Sequence, residues 1–122
     1  MISFTDTDGD ARDVKIVDNL AYITDRYEGF AIIDISDINN PVKISQTDTS
    51  GYTRNLDLEG NYLVVSAGGS GVYLFDITDK TDPQYLDRID DAEIGYTYKV
   101  KINNNTIIAA TRKGVAKITI NQ

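Results

Sequence analysis

The sequence predicts an all-β fold assembled from units of four antiparallel strands, three units to the chain. One observation is a repeat with a period of 42: Ile2-Ser3-Phe4-Thr5-Asp6-Thr7-Asp8-Gly9-Asp10-Ala11-Arg12 returns as Ile44-Ser45-Gln46-Thr47-Asp48-Thr49-Ser50-Gly51-Tyr52-Thr53-Arg54. A second is the succession of short β-branched and aromatic runs punctuated by Gly, Asn and Asp. The third is that no segment pairs a 3.6-residue apolar period with helix caps, so no helix is expected.

Within the first unit, Arg12 to Val17 alternates apolar and polar residues at period two, the mark of a strand with one more exposed face. Leu20 to Thr24 and Phe30 to Ile35 are apolar almost throughout and suit strands buried on both faces. Val42 to Thr47 alternates again, and its polar half suits an outer edge. Asp18-Asn19 and Gly60-Asn61 have the chemistry of two-residue turns, because Asn and Gly tolerate positive φ. The next hairpins carry Glu28-Gly29, Ser70-Gly71 and Lys113-Gly114, and longer polar turns close on Pro41 and Pro83.

The second unit answers Asn19, Gly29, Asp34, Asp37 and Pro41 with Asn61, Gly71, Asp76, Asp79 and Pro83. A third begins at Leu86 and runs through Gly95, Val100, Ile102, Asn104 and Gly114, with small length changes in its first two loops. The repeats fall at approximately 2–43, 44–85 and 86–122 within a single domain. Four strands in about 42 residues is the arithmetic of a β-propeller blade.

Composition narrows the function. A net charge of -7 over 122 residues argues against nucleic acid and anionic membranes, which need clustered Lys and Arg. No apolar run reaches the length of a spanning helix, and Met1-Ile2-Ser3 lacks the basic and apolar regions of a signal peptide. With no Cys and no His, thiolate sites, His-ligated zinc and hydrolases with a His base are excluded for a single-chain active site. No cofactor is expected.

The runs Ala11-Arg12-Asp13-Val14, Asn19-Leu20-Ala21-Tyr22-Ile23, Gly29-Phe30-Ala31-Ile32-Ile33-Asp34-Ile35-Ser36-Asp37 and Asn40-Pro41-Val42 resemble the LVIVD repeat, a propeller blade of bacterial and archaeal cell-surface proteins. The second unit matches through Gly71 to Asp79 and Pro83; the third departs, with Thr119 where Asp34 and Asp76 stand. The resemblance implies a propeller and an extracellular or cell-surface setting, and it brings no shared catalytic residue.

The phase of the repeat points to assembly. The third unit holds three strands, whereas Ile2 to Asp6 matches the fourth-strand segment Ile44 to Asp48. Three blades are too few to close a ring. The expectation is therefore a homodimer forming a six-bladed ring, with a homotrimer as the alternative. Residues 2–6 of one chain complete the third blade of another, and Ile2, Phe4, Val115, Ile118 and Ile120 are the assembly residues. The other possibility is a piece of a longer propeller.

Arg12 and Arg54, with Tyr52 and Tyr96, are the candidate ligand-binding residues at the channel mouth, suited to a carbohydrate or anionic ligand. The favoured alternative is architectural, each Arg pairing with an Asp of a neighbouring blade such as Asp13 or Asp57. Asp6, Asp8 and Asp10 resemble a calcium loop only in part, and a solvated acidic loop is preferred. Asp34 and Asp76 are expected to cap the turns that follow them, and Glu28, Glu59 and Glu93 give no placed pair for glycoside hydrolysis. The reading is a non-enzymatic assembly and interaction module. The alternatives are a lectin-like or small-ligand propeller and, behind it, a hydrolase built on Asp and Glu; a carbohydrate or a protein is the further partner class.

Overall fold

The computed structural model describes residues 5–37 and 39–120. Three antiparallel sheets succeed one another. The first holds β1 (Asp13–Val17), β2 (Leu20–Thr24), β3 (Phe30–Asp34) and β4 (Val42–Thr47) in that order. The second holds β5 (Asn55–Glu59), β6 (Tyr62–Ser66), β7 (Val72–Asp76) and β8 (Gln84–Ile89). The third holds β9 (Thr97–Asn103), β10 (Thr106–Thr111) and β11 (Gly114–Thr119), with β11 at one edge among the described residues.

Turn chemistry sets the registers. Val17 faces Leu20 across Asp18-Asn19, Glu59 faces Tyr62 across Gly60-Asn61, and Asn103 faces Thr106 across Asn104-Asn105. Asp18, Gly60, Asn104 and Asn105 have φ of 55°, 58°, 52° and 59°, as tight primed turns demand. A shift in register recurs at Ile32/Ile33 and Leu74/Phe75, so the bulge belongs to the repeat.

Each sheet has two faces, and neighbouring sheets meet face to face. Tyr22, Phe30 and Ile32 of the first pack on Leu56, Leu63, Val65 and Phe75 of the second. Val64, Val72 and Leu74, the equivalents of those first three, pack on Val100, Ile102, Ile107 and Ala109 of the third. Isolated bridges Arg26 to Thr53 and Gly68 to Thr97 join successive sheets at equivalent points.

One expectation fails: a helical turn, α1 (Asp91–Ile94), lies in the loop before β9. Asp90 winds this loop. The Asp90 carboxylate accepts the Ala92 N–H at 3.1 Å and its carbonyl accepts the Glu93 N–H. A single capped turn has no apolar period to betray it.

Candidate functional site

The inner strands β1, β5 and β9 meet through polar side chains. Alternate residues of β5 carry side-chain oxygens, and each accepts a backbone N–H from the next blade. Asn55 accepts from Val100 at 2.9 Å, Asp57 from Ile102 at 2.9 Å and Glu59 from Asn104 at 3.1 Å. Asn55 also donates to the Val100 carbonyl at 3.1 Å, so its amide imitates a strand neighbour. Asp57 is buried and takes the Lys15 ammonium of the first blade at 2.8 Å. Burial works against its charged form, but Lys15 and the Ile102 and Leu58 N–H groups outweigh it, leaving the carboxyl below its ordinary range.

At the rim of this junction, arginines and tyrosines alternate. Arg26 lies 5.8 Å from the Tyr27 ring and 5.5 Å from Tyr52, and Arg54 lies 5.6 Å from both Tyr52 and Tyr98. Tyr98 meets Tyr96 at 5.2 Å, and Arg112 lies 5.3 Å from Tyr96. Contact with the Tyr98 hydroxyl holds the Arg112 guanidinium still more firmly protonated than usual. Arg26 adopts φ of 60°, a costly region for a side chain, where the repeat has Gly68.

The sequence-predicted residues divide on this surface. Arg12, Tyr52 and Arg54 line one cleft, together with Asp13, Asn55, Tyr98 and Lys99. Tyr96 does not line it and instead covers Gly68. Neither arginine takes Asp57, which belongs to Lys15. Asp13 accepts the Leu56 N–H at 3.3 Å. Arg12 reaches Asp10 at 3.8 Å, and Asp10 also faces Arg26 at 3.6 Å. Lys99, Tyr98 and Arg26 were missed by sequence reasoning, since Lys99 and Tyr98 break the repeat and Arg26 stands where it has glycine.

The acidic candidates are engaged by the protein itself. Asp8 takes Lys43 at 2.9 Å, and among the described residues no group of acidic side chains has the spacing to hold a metal ion. Asp6 is exposed. Asp34 accepts both the N–H and the hydroxyl of Ser36, and Asp76 does the same with Thr78. These bonds pull both carboxyls below their usual range. Glu59 is committed to the Asn104 and Asn105 N–H groups.

The two ends of the row of sheets carry apolar surface. Val14 and Ile16 of β1 are 55% and 61% exposed, whereas their equivalents Leu56, Val100 and Ile102 are buried against a preceding sheet. Beside them Thr5 to Ala11 crosses a cavity of about 460 Å³ over Ala21, Ile23, Ile33 and Ile35. Gly9 sits against the Asp25 carbonyl and the Glu28 side chain as Gly51 sits against the Ala67 carbonyl and Ser70. At the other end Val115 is 78% exposed on β11, with Ile108 beside it. Ile118 and Ile120 turn the other way, into a groove of about 390 Å³ against Leu74, Leu86 and Ile89 of the second sheet. Ile2 and Phe4 lie outside the described residues.

Successive face-packed sheets joined from outer to inner strand define an open propeller of 4, 4 and 3 strands. The chain belongs to the LVIVD repeat family, which it matches over residues 8–49 and 50–91. The two matched repeats are the first and second sheets of the chain, each with the segment that leads into it. Among curated proteins none matches the chain. Two solved structures are similar in fold. The computationally designed Ika4 protein superposes with a TM-score of 0.73 at 14% identity, over 91% of this chain and 66% of that one. The computationally designed Ika8 protein gives 0.68 at 12%, over 88% of this chain and 32% of that one. The chain thus spans just under two thirds of the first and about a third of the second. No helix among the described residues is long and apolar enough to cross a membrane.

Proposed function

We propose that the protein is an interaction module that closes into a six-bladed ring with a second copy of itself, head to tail. In this reading Ile2 to Asp6 of each chain adds a fourth strand to β11 of the other. The observation that carries it is the shared course of Thr5 to Ala11 and Thr47 to Thr53, marked by Gly9 and Gly51 in equivalent contacts. Thr47 ends an outer strand, so Thr5 stands where a preceding blade's outer strand would end.

The unfilled surfaces support the same reading. Ala21, Ile23, Ile33 and Ile35 answer Leu63, Val65, Phe75 and Ile77, which the preceding blade covers with Tyr22, Phe30 and Ile32. By the repeat, Phe4 takes the place of Arg88, which faces Tyr73 across the ladder. The third blade has Ala116 in place of Tyr73, a small residue opposite a large one beside the groove that Ile118 lines. A free strand edge and two apolar sheet faces are costly in water, and ring closure covers all three. Family membership supports an extracellular setting for the ring.

The mass in solution, by light scattering on the eluting peak, tests the proposal. Two chains are expected, falling to one or to aggregate when residues 1–6 are deleted. A mass of one chain for the intact protein overturns the assembly, and three chains replaces six blades with nine.

A further inference from the structure

We propose that the cleft around Arg54 is a binding site for a small oxyanion carrying more than one negative charge, with a carboxylate or phosphate head group. The cleft, about 310 Å³ in volume, lies between the inner strands of the three blades and needs no second chain to form. Arg54, Lys99 and Arg12 line it, Arg12 also reaching Asp10 at 3.8 Å outside the lining, and the one carboxylate in the lining, Asp13, already accepts the Leu56 N–H. This concentration of positive charge stands out in a chain whose net charge is -7.

Arg54 is the centre of the site. Its guanidinium is held between the Tyr52 and Tyr98 rings at 5.6 Å from each, and no carboxylate among the described residues lies within ion-pair distance of it. A guanidinium oriented by two rings keeps its N–H edge for an acceptor, and a bidentate oxyanion matches that edge. Among the described residues Lys99 makes no ion pair either, and it adds a compact second charge from the neighbouring strand. The same geometry argues against a neutral sugar: Tyr52 and Tyr98, whose faces would stack on a pyranose ring, are already engaged by arginines. The strained backbone of Arg26 fits this arrangement, since that residue holds Tyr52 from its far side.

Calorimetric titration of the intact protein at low salt, with citrate, inorganic phosphate and glucose as probes, tests the site. Saturable binding of citrate or phosphate is expected, with the tighter of the two identifying the head group, and it should weaken as salt is added. Arg54→Gln and Lys99→Gln should each lose about tenfold in affinity, the worth of a charge-assisted hydrogen bond. Lys117→Gln, remote on β11, should bind as the parent does. Far-UV circular dichroism checks that each variant folds, and loss in Lys99→Gln alone sustains the proposal should Arg54→Gln misfold. Absence of binding by both oxyanions, equal binding by folded Arg54→Gln, or glucose binding as well as citrate overturns it. None of these results depends on the number of chains in the ring.

Discussion

Lys15 and Asp57 occupy the same position of successive repeats, 42 residues apart, and meet at 2.8 Å with opposite charges. A repeat that conserved its charge here would set like against like. The pair therefore distinguishes the first blade from the second and fixes which neighbours which. Asp57→Ala removes the Lys15 contact and leaves the Ile102 N–H without its acceptor. The Lys15 side chain is 39% exposed, so the stranded ammonium recovers water and the loss is smaller than for a fully buried pair. A cost of about 1–3 kcal/mol in urea unfolding is expected.

Acid should weaken the fold through the same carboxylate. Asp57 sits below its ordinary value in the folded protein, as do Asp34, Asp76 and Asp79 at their turns. A depressed carboxyl contributes stability that is fully present above the unfolded value, about 3.9, and disappears as pH falls through the lower folded one. Stability should thus be flat with respect to these groups near neutrality and fall below about pH 4. Lys15→Met removes one lowering influence and leaves only the Ile102 and Leu58 N–H groups to offset the burial of Asp57, so its acid transition should move to higher pH. Circular dichroism followed from pH 7 to 2 reads both.

Gly68 is required twice over. Its φ is 54°, and a Cβ there would lie 2.7 Å from the Tyr96 hydroxyl. Arg26, its equivalent, carries the same left-handed strain at φ 60°, with its guanidinium 5.5 Å from the Tyr52 ring. Gly68→Ala should cost about 1–3 kcal/mol by thermal or urea unfolding, combining left-handed strain with displacement of Tyr96.

The blades were legible because their signals are local. Period-two alternation, Asn and Gly at the turns and Gly at 29 and 71 specify hairpins with no knowledge of what packs on them. The caps at Asp34 and Asp76 were legible for the same reason, since their partners lie two residues away. What could not be read depends on the neighbouring blade. The acceptors Asn55, Asp57 and Glu59 reach N–H groups 45 residues on, and residue type alone does not say which strand they face. Arg12 and Arg54 drew notice because they repeat, while Lys99 and Tyr98 complete the cleft by departing from the repeat. The α1 turn escaped because it rests on one cap and no period.

Lys117 tests the open face of the third blade. It pairs across the hairpin with Ile108, as Ile32 does with Tyr22 and Leu74 with Val64, so it stands where the other blades place an aliphatic residue at the centre of an interface. Exposed on β11, it costs nothing in a lone chain. Covered by the Val14 and Ile16 face of a second copy, its stem can lie on apolar surface only if the ammonium reaches the rim. Lys117→Ile replaces that compromise with the residue the first blade uses, and burying such a side chain is worth about 1.5–3 kcal/mol. Head-to-tail association should tighten by about tenfold or more, read as a lower dissociation constant in sedimentation across a dilution series. Unchanged association would mean that this face does not meet a neighbouring blade.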